Sequence, residues 1–498
     1  MARTVVVSNR VQLPGERSAR AGGLAAALRD AVRRGGGLWF GWSGAVKGTA
    51  GEPEIARAGK VTYATVDLTR AEYEHYYLGH ANATLWPLLH YRLGLVQYRR
   101  EAFQGYLQVN ARMAQQLLPL LLPDDLIWVH DYHLIPLASC LRASGVTNRI
   151  GFFLHTPFPP FDVLSALPQY EQLIAAMGAY DLVGFQTAAA VGAFLECVGA
   201  VPGGERLGNG NFAVAGRRAR AAAFPIGIDA QGFAKLAARA AHSAETVRLR
   251  DSLAGRSLII GVDRLDYSKG IPQRFEAVEE LLTTHPALHR SFNYLQITPL
   301  SRAELSQYRA FRRELEALAG HVNGKFAEFD WSPIRYVTKS FSQQSLAGFY
   351  RRARVGLVTP LRDGMNLVAK EFVAAQDPQD PGALVLSRFA GAACELDAAL
   401  LINPNDPTEI AEMLRRALQM PLVERQDRWR AMMSANQRST LDGWCASFLA
   451  ALGRIALVPP LRVAVRPHAS RAVPLPKPAC SVGSTRGRTI DRRGRSRP

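Results

Sequence analysis

Short runs of consecutive apolar residues recur along the chain, and most precede a stretch in which apolar residues have helical spacing. Parallel strands covered on both faces read as continuous apolar runs, so each run predicts a buried parallel strand. Alternation of such strands with helices is typical of doubly wound α/β domains. The predicted strands lie at 4–8, 126–130, 150–155, 182–185, 257–262, 292–298, 355–359 and 383–387.

The strand–helix rhythm restarts after residues 224–229, which predicts a hinge there. Residues 1–228 and 229–435 are expected to form two Rossmann-like domains that face each other across a cleft. The helical residues 436–458 are expected to close the globular part and to pack back on the first domain. Ligands of open α/β sheets bind beyond the carboxyl ends of the strands, so the cleft is the predicted site.

Charge is unevenly distributed along the 498 residues, whose net charge is +18. Residues 459–498 contain ten basic residues and one acidic residue, and therefore carry +9 in a Pro- and Arg-rich tail. Such a tail cannot offset its ordering entropy by burial, so it is predicted to be disordered. This position argues against specific nucleic-acid binding, although weak polyanion contact by the tail stays open as an alternative.

Other sequence features limit the class of protein. No apolar run reaches the roughly 20 residues that span a bilayer, and the N-terminus does not read as a signal peptide. A cytoplasmic protein without membrane contact is therefore expected. The five cysteines are scattered and form no CxxC pair, and no HExxH-like or DxD-like cluster occurs. Neither a disulfide framework nor a metal site or cofactor is expected.

Polar and charged clusters follow the predicted strands in both halves of the chain. Any single cluster could be an ordinary polar loop, but five of them stand in register across two domains. Their positions place them where the sheets are expected to bind ligands. The clusters lie at 8–10, 130–133, 155–159, 263–270 and 359–367.

Several clusters suit an anionic ligand such as a nucleotide sugar. Gly22 and Gly23 stand at a predicted helix start, where backbone N–H groups can approach an anion; a helix cap or a tight turn is the alternative. Arg264 and Lys269 can converge on a diphosphate, or they can be an ordinary surface pair. Asp363 precedes a second predicted helix start at which an anion can bind.

Carboxylate, imidazole and aromatic side chains in the same clusters suit a sugar. Glu371 can accept hydrogen bonds from ribose hydroxyls. His155 and Asp131 can bind sugar hydroxyls, or they can be satisfied residues at strand ends. Tyr77 and Trp86 belong to an aromatic-rich stretch that can pack against a sugar ring, although such stretches are more often core.

Longer strings occur in a fixed order: VVVSNR, AGGL, GLWFGWSG, LWPLLHYR, IWVHDYHL, GFFLHTPFP, DRLDYSKG, TPLRDGMNLVAKEFVAAQ and FAGAA. In these strings, from Val5 to about Leu452, the chain resembles the trehalose-6-phosphate synthases of glycosyltransferase family 20. The resemblance implies a GT-B fold and a retaining transferase that needs no metal. It implies transfer of glucose from UDP-glucose to glucose 6-phosphate, which gives α,α-trehalose 6-phosphate. Cys394, the loop 202–219 and the tail depart from the family pattern.

The resemblance also implies a role for each matched residue. The acceptor glucose 6-phosphate would be held by Arg10, Tyr77, Trp86, Asp131 and Arg302. The reacting donor groups would be contacted by His155, Asp363, Arg264 and Lys269. The remainder of the donor would be bound at Gly22, Gly23, Phe341, Asn366, Leu367, Val368, Ala369, Lys370 and Glu371.

Three alternatives remain open at this point. A related transferase could use another acceptor, such as glycerol 3-phosphate, and a non-catalytic sugar-phosphate sensor could keep the same fold. The donor nucleotide could be UDP, ADP or GDP, since recognition of the base does not show in the sequence. The oligomeric state, including a dimer or a tetramer, is likewise open.

Overall fold

The computed structural model describes residues 2–15, 32, 36–302 and 304–455. The predicted helix at 24–33 and the basic tail at 459–498 lie mostly or wholly outside these ranges. Within them the chain forms two mainly parallel sheets, as the apolar runs predict. Among the described helices, none is both long and apolar enough to cross a membrane.

The first sheet has ten strands in the order β3-β4-β2-β1-β5-β6-β7-β10-β9-β8. Its pairs from β4 through β10 are parallel, whereas β3 and the β9–β8 edge pair antiparallel with their neighbours. The strands are β1 Thr4–Arg10, β2 Gly37–Lys47, β3 Glu54–Ala58, β4 Val61–Thr69, β5 Leu126–His130, β6 Arg149–Phe153, β7 Leu182–Phe185, β8 Glu205–Gly208, β9 Asn211–Val214 and β10 Arg217–Ala223.

The second sheet has six strands in the order β13-β12-β11-β14-β15-β16, and all of its pairs are parallel. A central first strand with crossovers to both sides is the doubly wound arrangement, which leaves a crevice at the carboxyl ends. The strands are β11 Ser257–Val262, β12 Phe292–Ile297, β13 Ile334–Val337, β14 Val355–Val358, β15 Ala383–Ser387 and β16 Leu400–Ile402.

Helices cover both sheets, and one of them is unusual. A continuous helical segment between β4 and β5 contains a long π-helix, Tyr73–Leu85. The α-helices are α1 Arg70–Glu72, α2 Trp86–Leu89, α3 Arg100–Leu117, α4 Leu137–Ala143, α5 Phe161–Leu164, α6 Tyr170–Met177, α7 Ala188–Ala200, α8 Ala230–Ala240, α9 Ala244–Ser252, α10 Ile271–Thr284, α11 Ser306–Phe326, α12 Gln343–Arg352, α13 Leu367–Ala375, α14 Pro407–Gln419, α15 Leu422–Arg438 and α16 Leu441–Arg454. Short 3₁₀ helices lie at Leu93–Leu95, Leu118–Leu120, Tyr132–Leu134, Tyr267–Lys269, Pro286–Leu288 and Gly391–Cys394.

The last helix, α16, packs on the first sheet although it follows the second one in the chain. Phe448 of α16 is fully buried and stacks on Trp128 of β5, with ring centroids 4.8 Å apart. Gly151 and Gly184 make room for this ring, because a Cβ on either glycine would lie 2.7 Å from it. The predicted domain bounds stay a prediction, but the chain passes between the sheets at 224–229 and again at 439–440.

Candidate active site

The carboxyl ends of the two sheets meet in a cleft. Trp86, beside the first sheet, donates from its indole N–H to Asp266 Oδ1 of the second half at 3.3 Å. At another point the backbones touch, since a Cβ on Gly364 would lie 1.9 Å from the carbonyl oxygen of His155. A glycine is therefore required at 364. The polar clusters of both halves lie along this cleft.

Lys269 and Asp363 form an ion pair across two loops that follow β11 and β14. Lys269 Nζ lies 2.5 Å from Asp363 Oδ2, and Asn366 Nδ2 donates to the same oxygen at 3.1 Å. Burial acts to raise the pKa of Asp363, but the Lys269 ammonium outweighs it and holds this pKa below its ordinary value. The carboxylate is therefore ionised. The ion pair fixes the loops after β11 and β14 relative to each other.

Helix α13 begins at this ion pair and directs its N-terminus into the cleft. Asn366 caps the helix, and its Oδ1 accepts from the N–H of Ala369 at 3.3 Å. The first N–H groups of a helix have no partner within it, and the helix dipole favours an anion there. The backbone at Leu367 and Val368 is therefore suited to an anion, and the sequence predicts donor phosphates at this position.

Lys370 and Glu371 follow on the same helix but point in different directions, as consecutive helical residues do. The Lys370 ammonium is buried against the carbonyl of Ile226 in the chain crossover, at 2.8 Å, and does not reach the cleft. Glu371 makes no hydrogen bond or ion pair to another described residue, and burial raises its pKa to about 7. Its carboxylate therefore lacks a partner among the described residues.

Arg264 is an exposed cation of the cleft. Its guanidinium carbon lies 6.0 Å from the centre of the Trp86 ring, and no ion pair or hydrogen bond to a described residue holds it. The neighbouring residues of the β11 loop, from Leu265 to Ser268, are buried. This buried loop thus presents a guanidinium that no described residue pairs, and which is suited to a bidentate phosphate contact.

Arg302 lies across the cleft entrance with a dense set of partners. Its Nη1 donates to Asp266 Oδ2 at 3.2 Å and to the Tyr308 hydroxyl at 2.7 Å. Its Nη2 donates to the Tyr132 hydroxyl of the first half at 3.2 Å. The guanidinium also covers the Trp86 ring at 4.0 Å. Arg302 therefore joins acceptor-side residues of both halves.

Asp131 directly follows β5 and lies near Arg302 and Arg264 of the second half. Its Oδ1 accepts from the N–H of His155 at 3.3 Å. Burial raises the pKa of Asp131 to about 6, although the N–H groups of Tyr132 and His155 act to lower it. The carboxylate has capacity for further donors, such as sugar hydroxyls.

His155 has both ring nitrogens engaged by neighbouring side chains. Nε2 faces His130 Nδ1 at 3.1 Å, and Nδ1 faces Gln186 Nε2 at 3.3 Å. Burial lowers the pKa of His155 to about 3, so the ring is neutral at physiological pH. A sugar hydroxyl could hydrogen-bond to this ring only by displacing His130 or Gln186.

The other expected site residues are less tightly grouped. Tyr77 lies on the π-helix and stacks with His133, with ring centroids 5.9 Å apart. Arg10 is the last residue of β1, and its guanidinium lies over Gly44 of β2. Phe341 packs edge-on against Phe349 at 5.3 Å. Gly22 and Gly23 lie outside the described residues.

Two buried acidic residues that the sequence did not single out organise these loops. Asp266 is fully buried and accepts from Trp86, Arg302 and the Tyr308 hydroxyl, the last at 3.0 Å. Asp263 pairs with the fully buried Arg274 at 2.7 Å. The DRLDYSKG string contains both carboxylates but not the partners Trp86, Arg302 and Tyr308 of Asp266, which lie far away in the sequence.

Arg274 joins the two loops on which the donor side depends. Its Nη2 donates to the backbone carbonyl of Lys269 at 3.0 Å, and its Nε donates to Thr359 Oγ1 at 2.7 Å. The loops after β11 and β14 are thereby tied beneath the ion pair of Lys269 and Asp363.

Unusual backbone conformations also occur at the site. Asp131, Arg302 and Asn366 have positive φ values of 76°, 48° and 79°. Such conformations cost about 1–3 kcal/mol each in residues other than glycine, and they persist where the surroundings determine them. Across the described ranges, no three His, Cys, Asp or Glu side chains come together to hold a metal ion.

Two doubly wound sheets facing across a cleft with anion-binding loops define the GT-B class of transferases. The family model "Glycosyltransferase family 20" matches residues 2–454. The chain belongs to glycosyltransferase family 20. The trehalose-6-phosphate synthase of Sinorhizobium fredii is 50% identical over 453 residues, which cover 90% of this chain and 98% of the relative.

Solved structures agree with this family. An α,α-trehalose-phosphate synthase (UDP-forming) from Burkholderia xenovorans, crystallised in complex with glucose-6-phosphate, is 50% identical. Its TM-score is 0.88, over 91% of this chain and 100% of that one. The E. coli relative bound with UDP-2-fluoro glucose is 44% identical, with a TM-score of 0.87 over 91% and 100% of the two chains. The predicted GT-B fold is confirmed.

Because burial raises the pKa of Glu371, replacing its carboxyl with a neutral amide is expected to stabilise the folded protein at high pH. A carboxyl whose pKa is raised by folding adds stability below its ordinary pKa, and this is lost as pH rises through about 7. Glu371→Gln should therefore be more stable than the wild type at pH 8, by about 1–3 kcal/mol. The measurement is Tm between pH 5 and pH 8.5 without nucleotide.

The matched control for this stability measurement is Glu101→Gln, since Glu101 is exposed on α3. This change should alter stability by no more than about 0.5 kcal/mol at any pH. A difference between Glu371→Gln and wild type that did not shrink below pH 7 would contradict the account.

Proposed function

We propose that this chain transfers glucose from UDP-glucose to the anomeric hydroxyl of glucose 6-phosphate, giving α,α-trehalose 6-phosphate and UDP. The observation that carries the proposal is that Arg264 and the N-terminus of α13 face the cleft from the second half, while Arg302 contacts residues of both halves. Relatives that are 44–50% identical support it, because solved examples hold glucose-6-phosphate or UDP-2-fluoro glucose. Each substrate of the reaction has a phosphate group that such positions can bind.

The donor is proposed to lie on the second half. Arg264 and Lys269 would bind its diphosphate, together with the N-terminus of α13 at Asn366, Leu367 and Val368. Glu371 would accept from the ribose hydroxyls, which fits a carboxylate that has no described partner. Ala369 and Phe341 would contribute backbone and packing around the nucleotide, and Gly22 and Gly23 would approach the phosphates from the first half.

The acceptor is proposed to lie between both halves. Arg10 and Arg302 would bind the phosphate of glucose 6-phosphate. Trp86 and Tyr77 would pack against the sugar ring, and Asp131 would accept from its hydroxyls. Arg302 forms an ion pair with Asp266. A bound phosphate would therefore be a second anion in contact with the same guanidinium.

The chemistry follows from the fixed charges around the donor. The bond between the glucose C1 and the diphosphate oxygen breaks, and a bond from C1 to the acceptor hydroxyl oxygen forms. The hydroxyl proton passes to the departing phosphate on the same face, so the donor configuration is retained. Asp363 is held by Lys269 and Asn366 and does not act as nucleophile. Arg264 and Lys269 stabilise the charge that develops on the leaving group.

Activity with a defined set of substrates tests the proposal. UDP-, ADP- and GDP-glucose are each combined with glucose 6-phosphate or glycerol 3-phosphate, with and without EDTA, and nucleotide release is measured. We expect the highest turnover with UDP-glucose and glucose 6-phosphate, undiminished by EDTA. Faster turnover with glycerol 3-phosphate would refute the acceptor assignment, and loss of turnover in EDTA would refute metal independence.

Arg264 is expected to be required for transfer. Arg264→Ala should lower kcat by about 10²- to 10³-fold, because a preorganised charge on the leaving group is lost. UDP release from UDP-glucose and glucose 6-phosphate is the measurement. The control is Arg313→Ala, since Arg313 is exposed on α11. A kcat of Arg264→Ala close to that of the control would contradict the role given to Arg264.

The cytoplasmic location and the oligomeric state stay predictions.

A further inference from the structure

The two halves are joined by two chain crossovers that lie side by side. The first crossover, residues 224–229, runs from β10 in the first sheet to α8. The second, residues 439–440, runs from α15 to α16, which packs on the first sheet. Any change in the angle between the halves must bend both crossovers.

The crossovers are in direct backbone contact. A Cβ on Gly227 would lie 1.9 Å from the carbonyl oxygen of Ser439, so only glycine allows this approach. A cavity of about 770 Å³ borders them on one side, and Pro225, Ser439 and Thr440 belong to its lining. Ile226 and Ile228 of the first crossover are buried in apolar packing, so packing holds the crossovers on one side and polar contacts hold them on the other.

One buried ammonium contacts both crossovers. Lys370 Nζ donates to the carbonyl of Ile226 at 2.8 Å and to Ser439 Oγ at 3.3 Å. Its counter-ion is Glu395, whose Oε1 lies 2.7 Å away. The Lys370 side chain is fully buried. A charge buried in this way fixes its surroundings, since each lost partner leaves a desolvated group unpaired.

Lys370 belongs to α13, whose N-terminus is the proposed phosphate-binding end. The backbone carbonyl of Lys370 accepts from Asn436 Nδ2 of α15 at 3.0 Å, which ties the same turn to the helix that precedes the second crossover. The ammonium therefore connects the donor-binding helix to both points at which the chain passes between the halves.

We propose that Lys370 is a positioning residue that holds the two crossovers as one unit and so sets the angle at which the donor end of α13 faces the acceptor residues. This inference rests on the proposed function. It replaces the expectation that Lys370 touches the donor with a role exerted through the crossovers.

Lys370→Met tests the inference, because it keeps a long apolar side chain and removes all three contacts. We expect kcat to fall at least about tenfold, since small errors in the alignment of reacting groups are costly. The Kd of UDP should stay within about twofold, because UDP binds the second half away from the crossovers. An unchanged kcat would overturn the inference, whether or not UDP binding is weakened.

The matched control removes another buried cation of the same half. Arg425 Nη1 contacts Asp380 Oδ1 and the carbonyl of Pro381, each at 2.5 Å, and touches neither crossover. Arg425→Met should lower Tm, as Lys370→Met does, but leave kcat within about twofold. An equal loss of kcat in both variants would show that general destabilisation is the cause, and would overturn the inference.

A second variant changes the crossovers without touching Lys370. Gly227→Ala forces the two backbones apart, so it should lower kcat by about tenfold and leave the Kd of UDP unchanged. It keeps the inference testable if Lys370→Met does not fold. Full kcat in Gly227→Ala would mean that crossover contact does not set the geometry.

Hydrogen exchange separates this inference from the proposed function, because it needs no transfer reaction. Backbone amides in 224–229 and 439–440 should exchange faster in Lys370→Met than in wild type or Arg425→Met. Unchanged exchange there would overturn the inference. Absence of transfer in the wild type would instead overturn the proposed function.

Discussion

A single buried carboxylate, that of Asp266, joins the two halves of the molecule at the cleft. It accepts from the Trp86 indole on one side and from Arg302 and Tyr308 on the other, at 3.0–3.3 Å. Burial acts to raise the pKa of Asp266, but Arg302 and other nearby cations hold it below its ordinary value. The carboxyl of Asp266 is thus ionised in the folded protein. A neutral group there would leave Arg302 buried without a counter-ion.

The remaining charges of the cleft follow the same logic. Asp263 with Arg274, and Asp363 with Lys269, are ion pairs that fix the loops after β11 and β14. The pair of Asp263 and Arg274 is buried and serves only to hold the loops, whereas Lys269 also lies where a donor phosphate is proposed to bind. Arg264 stands apart because it is exposed and without a described partner. The buried ion pairs thus order the loops, and the proposed attraction for an anion comes from Arg264 together with Lys269.

The sequence predicted eight strands of the two sheets and missed the others, among them β2 and β4 inside the first sheet as well as the edge strands. β5, β7, β11 and β15 begin and end where their apolar runs do, because strands covered on both faces leave no polar residue inside them. The strand β10 was missed, since its RRARAAA pattern alternates between exposed and buried positions and reads as a basic loop. The strand β3 was also missed, because it lies exposed at the sheet edge and has no apolar run.

The sequence predicted site residues that lie in motifs at the ends of strands. It missed residues whose role depends on contacts with distant parts of the chain. Arg264, Lys269 and Asp363 lie in the cleft, as the position of their loops predicts. Lys370 was expected beside the donor together with Glu371, but neighbouring residues on a helix point about 100° apart. Its ammonium therefore faces the crossovers. No local pattern shows that Arg274 or Asp266 would be a hub, because their partners lie on other elements.

The linkage of the product tests the central claim most directly. Wild-type protein is incubated with UDP-glucose and glucose 6-phosphate, and the anomeric configuration of the isolated product is determined by NMR. The account predicts a 1,1-linked disaccharide phosphate in which both anomeric centres are α. A β configuration at the carbon that came from UDP-glucose, or a linkage through any other hydroxyl, would contradict it.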